Sequence, residues 1–171
     1  MKFRHATVDD ASALAVLAIE VWTGTYLRTG ISPFFADYAL STFSRDKMAE
    51  LVGCPTETMI VSQNDTGIDG FVRVSQDVCG PVSGCSTTEI ATLYVRPRHH
   101  GRGIGQALLH QAMDVAQDDG AGSVWLTVNH ENTSALGFYA RQGFRTIGQT
   151  VFRIGDDVYP NDVLTRDLND V

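Results

Sequence analysis

The stretch LYVRPRHHGRGIGQALL, Leu93 to Leu109, runs from β-favouring residues through a proline and a cluster of basic side chains into three glycines, then into an amphipathic pattern. It reads as a strand-to-helix turn. Gly101, Gly103 and Gly105 carry no Cβ and let backbone approach a ligand closely, and N–H groups at a helix start favour anions. The turn predicts a phosphate-bearing ligand.

Outward from the turn, the chain alternates between the two periodicities. EIATLYV enters the turn as a strand, and a helix over Gly105–Gln117 follows, with Leu108, Leu109, Ala112, Met113 and Ala116 on one side. SVWLTV is a continuous apolar strand of the kind buried on both faces. NTSALGFYARQ reads as a helix stopped by Gly143, and FRTIGQTVFRI with DVYPNDVLTRDL as a closing hairpin around Gly155, Asp156 and Asp157. Upstream, DVCGPVSGCST is a loop by its composition, and MIVSQ and IDGFVRVS form a hairpin about NDTG, with Gly67 supplying positive φ.

KFRHAT opens the chain as a strand. Thr7 with Asp10 resembles a capping box for a helix to about Leu27, whose core stripe is Leu14, Leu17, Val21 and the neighbourhood of Ile31. Ser32 and Pro33 open a further short helix. The sum is an α/β domain over residues 1–171, a mixed central sheet of about seven strands flanked by helices. Hairpins at both ends exclude an all-parallel, doubly wound sheet.

Composition agrees: 171 residues, 43% hydrophobic and 19% charged, suit one globular core. No signal-peptide core or membrane-length apolar run is present, so a cytoplasmic protein with no membrane partner is expected. Cys54, Cys79 and Cys85 are odd in number and match no zinc spacing, so neither a disulfide framework nor a metal site is implied. A net charge of −7 argues against nucleic acid as a partner, because duplex binding needs a broad basic face. Arg96, Arg98 and Arg102, with His99 and His100, instead make a local anion site on an acidic protein.

The glycines fall as G-R-G-I-G, not as the dinucleotide fingerprint, and no Walker A loop is present. The stretch resembles the acetyl-CoA-binding motif of the GNAT N-acetyltransferases, Q/R-x-x-G-x-G/A after a strand ending V-x-P. His100, Gly101, Arg102, Gly103, Ile104 and Gly105 fill it, and Gln106 follows on the helix. His100 stands where the family carries Gln or Arg. NHENTSALGFYARQGF is similar to that family's second motif, and Asn132 and Tyr139 lie about two helical turns apart on one face. Asn132 and Tyr139 of this motif are identified with the residues that contact the pantetheine arm and flank the thioester sulfur.

The resemblance implies more. The strands EIATLYV and SVWLTV are expected to splay after Val95, with Leu93, Tyr94 and Val95 pairing with pantetheine through their backbone. The activity implied is acetyl transfer from acetyl-CoA to a primary amine by direct attack, with no metal. An alkyl amine of pKa near 10.4 is only about 0.04% neutral at pH 7, so a base helps. Glu89 resembles the family's base acting through water, its alternative reading being a solvated strand-end carboxylate; Glu131 is a second candidate. A backbone N–H of Leu93 or Tyr94 would stabilise the oxyanion, and Tyr139 would protonate the departing thiolate, unless it is only a core tyrosine.

A looser resemblance, through IEVWTGTY, EIATLYV, VWLTVNHEN and VFRIGDDVYPNDVLTRDL, is to Pai-type spermidine/spermine acetyltransferases. It makes a polyamine one candidate acceptor, with Trp22, Tyr26, Phe34 or Tyr38 as cation–π walls. Aromatics at helical spacing are also ordinary core. Peptide α-amines, lysine side chains and aminoglycosides remain open, a homodimer is common in the family, and a catalytically silent acyl-CoA-binding regulatory module is the competing class.

Overall fold

A computed structural model describes residues 2–27 and 30–169. Seven strands, β1 Lys2–His5, β2 Glu57–Asn64, β3 Gly67–Ser75, β4 Glu89–Val95, β5 Ser123–Asn129, β6 Arg145–Ile154 and β7 Asp157–Asp167, form one mixed sheet in the order β1-β2-β3-β4-β5-β7-β6. The helices are α1 Ala11–Tyr26, α2 Pro33–Thr42, α3 Arg45–Gly53, α4 Ile104–Asp118 and α5 Thr133–Arg141. The α/β class, the seven strands and the flanking helices are those expected. By compactness the chain falls into two units, one running to Arg73 and including Thr92–Gln111, the other comprising Val74–Ala91 and the chain from Ala112 onward.

In the first unit the core joins Leu14, Leu17 and Ala18 of α1 to Met48 of α3, Met59 and Val61 of β2, and Phe71 of β3. Burying a side chain of the Leu or Phe class stabilises by about 1.5–3 kcal/mol, so this cluster fixes α1 on the sheet. The expected Thr7–Asp10 capping box closes a 3-10 turn over Val8–Asp10 that leads into α1 rather than α1 itself: the Asp10 carboxylate accepts the Thr7 N–H at 2.8 Å and the Arg4 guanidinium in a fork at 2.6 and 2.9 Å. Ile31 does not extend the stripe. Helix α1 ends at Tyr26, with the Leu27 N–H closing the last turn on Thr23 O, and Ile31 beyond it is 68% exposed.

Helix α3 was not expected. Its signals are Ser44, whose Oγ accepts the Lys47 N–H at 3.2 Å, and the i, i+3, i+4 set Met48, Leu51 and Val52. Charged neighbours Arg45, Asp46, Lys47 and Glu50 mask that stripe in the sequence.

One glycine decides how close α4 comes to the sheet. A Cβ on Gly70 of β3 would lie 3.0 Å from Leu108 Cδ1, 3.1 Å from Tyr94 O and 3.2 Å from Ile104 Cγ2. The absent side chain is the seat of the first turns of α4.

In the second unit β5 pairs antiparallel with β7 along its whole length, Ser123 opposite Asp167 through Asn129 opposite Asn161. Val124, Leu126 and Val163 are fully buried, and the Thr165 hydroxyl donates to Val124 O at 2.9 Å. β6 and β7 form the expected hairpin, with a register shift between Thr146 and Gly148. The parallel register of β4 with β5 is the pair Glu89 opposite Trp125, with the Trp125 N–H donating to Thr88 O at 3.2 Å. Among the described residues no helix is long and apolar enough to cross a membrane.

Candidate functional site

In the first unit β4 delivers the chain into the turn. The Arg96 N–H donates to Asp69 O of β3 at 3.0 Å, Pro97–His99 make a single 3-10 turn, and Gly101 and Gly103 follow at φ 75° and 79°. Those left-handed angles strain any residue with a Cβ. They aim the chain into α4, whose Ala107 N–H is bonded to Gly103 O at 3.0 Å. The N–H groups of Ile104, Gly105 and Gln106 precede that first intrahelical bond and carry the positive end of the helix dipole. A Cβ on Gly101 or Gly103 would meet no atom within 4 Å, so the backbone there faces open space. This is a surface on which an anion can sit directly against main chain.

The five basic side chains of the turn divide into two groups. Arg96 is paired with Glu20 of α1 at 2.8 and 3.3 Å, and this hydrogen bond and charge raise its guanidinium pKa. His99 Nδ1 lies 3.3 Å from Asp69 Oδ2, and His100 Nε2 lies 2.9 Å from Val95 O. Arg98 and Arg102 are exposed and, among the described residues, pair with no carboxylate. The positive charge open to a ligand is thus Arg98 and Arg102. Arg98 was not singled out by motif, because only its neighbours' engagement distinguishes it. The His100 contact also occupies the carbonyl of Val95, one of the backbone groups expected to meet pantetheine. Leu93 and Tyr94 stand on β4 with half-buried side chains.

Tyr94 also connects the turn to an aromatic group. Its ring meets Phe71 edge-on at 5.7 Å, and its phenol pKa is driven up by burial first, then by the Tyr26 and Tyr38 phenols, against a smaller pull from Arg73. The hydroxyl therefore stays protonated at neutral pH. Trp22 lies 5.2 Å from Tyr26 and 5.3 Å from Tyr38, ring to ring, and is itself buried, whereas Tyr26 and Tyr38 are half-buried and Phe34 is exposed. Beside Tyr94 on the sheet, Arg73 holds Glu57 at 3.0 Å.

In the second unit Asn132 is the N-cap of α5, its Oδ1 accepting the Ala135 N–H at 3.1 Å, and Asn129 Oδ1 takes the Glu131 N–H at 2.8 Å. Tyr139 is buried between Phe138 and Phe144, whose rings meet it edge-on at 5.1 and 5.5 Å. Glu89 is half-buried at the head of β4 and Glu131 is exposed. A neighbouring dyad carries no local signal in the sequence: His130 Nδ1 lies 3.0 Å from Asp162 Oδ2, and Gln149 Nε2 donates to the other oxygen at 2.9 Å. The Gln149 hydrogen bond, aided by His130 against the opposing push of burial, holds the Asp162 carboxyl below its ordinary range. His130 and Asp162 lie 32 residues apart and meet only through the β5–β7 register. Among the described residues no group of three or more His, Cys, Asp and Glu is arranged to hold a metal ion.

Residues 27–144 match the family model described as Acetyltransferase (GNAT) family. An uncharacterized N-acetyltransferase of Mycobacterium tuberculosis is 30% identical over 161 residues, 94% of this chain and 99% of that one. Streptothricin acetyltransferase of Streptomyces lavendulae is 33% identical over 100 residues, 58% of this chain and 50% of that one. Among solved structures, the PaiA N-acetyltransferase of Thermoplasma acidophilum in complex with coenzyme A superposes with a TM-score of 0.79 at 18% identity, covering 97% of this chain and 98% of that one.

Proposed function

Because this chain belongs to the GNAT acetyltransferase family, we propose that it transfers the acetyl group of acetyl-CoA to a primary amine. The observation that carries the reading is the bare start of α4: two glycines at positive φ facing open space, N–H groups without intrahelical acceptors, and exposed Arg98 and Arg102, which among the described residues pair with no carboxylate. That combination suits a pyrophosphate, which presents anionic oxygens to main chain and guanidinium alike.

The chemistry asks four things of the residues. The amine nitrogen must lose a proton, attack the thioester carbonyl carbon, raise an oxyanion, and expel a thiolate that takes up a proton as the C–S bond breaks. In this proposal Glu89 receives the amine proton through water, a β4 backbone N–H at Leu93 or Tyr94 donates to the oxyanion, and the Tyr139 hydroxyl protonates the sulfur. Asn132, with its Oδ1 committed to the cap, contacts pantetheine through Nδ2. Two protons leave the nitrogen in all: the first passes through Glu89 and water to solvent as the ammonium becomes a free amine, and the second, lost from the tetrahedral intermediate, balances the proton that Tyr139 gives the thiolate.

For the acceptor, the half-buried phenols of Tyr26 and Tyr38 and a net charge of −7 favour a small alkyl ammonium, polyamines foremost. The likeness to streptothricin acetyltransferase puts streptothricin on the same panel. The test is coenzyme A release, read with a thiol reagent, over spermidine, lysine, an N-terminal peptide, an aminoglycoside and streptothricin. Turnover with one of these amines is the expected result. Tight acetyl-CoA binding with no turnover on any amine overturns the enzyme reading in favour of an acyl-CoA-binding module.

A further inference from the structure

We propose that Asp69 is the positioning residue of the acetyl-CoA turn: from β3 it grips the first and last residues of the Arg96–His99 segment, so donor affinity depends on a side chain that does not touch the donor. The inference rests on the acetyl-CoA reading above.

The two grips are of different kinds. The Asp69 carbonyl accepts the Arg96 N–H at 3.0 Å, and its carboxylate Oδ2 meets His99 Nδ1 at 3.3 Å. Pro97, with φ fixed by its ring, and Arg98 are held between them. The Glu20–Arg96 ion pair ties the same segment to α1, and His100 closes it onto Val95 O. Each tie fixes residues immediately before Gly101, so the open backbone at Gly101 and Gly103 has its position set before any ligand arrives.

The carboxylate is an unusual choice for a purely structural peg. Its side chain is 7% exposed, and Asn64 Nδ2 donates to Oδ2 at 2.9 Å. A buried carboxylate destabilises the fold unless its neighbours compensate the lost hydration. Burial pushes this carboxyl's pKa up, but Ser62, Asn64 and His99 outweigh it, and the group stays ionised at neutral pH. An ionised acceptor makes the stronger bond to an imidazole N–H, and that is the property the turn uses.

The test compares acetyl-CoA with S-acetylpantetheine, which carries the same thioester but lacks the pyrophosphate and adenosine. For Asp69→Asn, which keeps the shape and removes the charge, the KM for acetyl-CoA should rise about tenfold, the order of one charge-assisted hydrogen bond, with kcat within about twofold. With S-acetylpantetheine the ratio kcat/KM should match wild type. His99→Gln, which alters the accessible partner and leaves the buried site intact, should give the same split should Asp69→Asn fail to fold. Equal losses with both donors overturn the proposal, because they mark general damage to the fold. Loss with neither donor overturns it as well. If wild-type protein shows no acetyl-CoA binding by calorimetry, the acetyl-CoA reading itself falls, a result distinct from the other two.

Discussion

Gly70→Ala adds one methyl group beneath the turn, and the geometry sets its cost. The new Cβ would lie 3.1 Å from Tyr94 O and within 3.2 Å of Leu108 Cδ1 and Ile104 Cγ2, all closer than ordinary van der Waals contact. Leu108 is 0% exposed and Ile104 2%, so neither side chain has solvent to swing into, and the Tyr94 carbonyl is main chain of the adjoining strand. Overpacking of this kind costs about 1–3 kcal/mol. Against it stands the gain from replacing a strand glycine, about 0.4–1 kcal/mol, mostly through a stiffer unfolded chain. The difference is a net loss of roughly 0–2.6 kcal/mol, about 1.3 kcal/mol at mid-range, which lowers the melting temperature by about 3–5 °C in a chain this size. Relief must come from a shift of α4 or β4, both of which border the turn, so acetyl-CoA affinity should fall with the melting temperature. Differential scanning fluorimetry with and without acetyl-CoA reads both quantities. A variant as stable as wild type, with the same ligand-induced shift, would refute the claim that Gly70 seats α4.

Three further outcomes are expected. Tyr139→Phe should bind acetyl-CoA like wild type and lose about 10²–10⁴-fold in kcat, the range of a positioned general acid; a lowered melting point with kcat within about twofold would make Tyr139 a core residue only. Glu89→Gln should keep donor affinity and lose kcat/KM for the amine most steeply below the amine's pKa, and an unchanged pH–rate profile would move the proton to Glu131 or bulk water. Asp10 has a folded pKa lowered to about 2 by the Arg4 fork, against 3.8 ordinarily, so its contribution is present above pH 4 and lost as pH falls toward 2. Allowing for the partly exposed Arg4, that contribution is about 1–2 kcal/mol, and Asp10→Asn should melt about 2–8 °C below wild type at pH 7 with the gap closing in acid; a gap constant down to pH 2.5 would exclude the linkage.

The parts of this protein legible in the sequence are those where one local rule acts alone. Glycines with a proline and basic residues between a strand and an amphipathic run leave few alternatives, and the bounds of α4 and β5 followed within a residue or two. Helix α3 was hidden because its stripe is short and its exposed face is crowded with charge. Asp69 was illegible for a different reason. In IDGFVRVS the alternation places Asp69, Phe71 and Arg73 on one face of β3, and a period-two pattern assigns such polar residues to solvent. Phe71 is instead 1% exposed within the core and Asp69 is 5% exposed, so that face is covered. The covering comes from α1, whose packing onto β3 is a tertiary fact with no counterpart in the local pattern. The same holds for His130 and Asp162, and for the division of the turn's basic residues into pinned and open ones. Motif spacing names which groups enter a turn; only the partners supplied by distant strands decide which charges remain for the ligand. It follows that removing a partner should change the site as much as removing a ligand-facing group: without Glu20 the Arg96 guanidinium joins the open charges, and without the Asp69 carboxylate His99 loses its anchor, so in either case the segment before Gly101 loses its fixed shape.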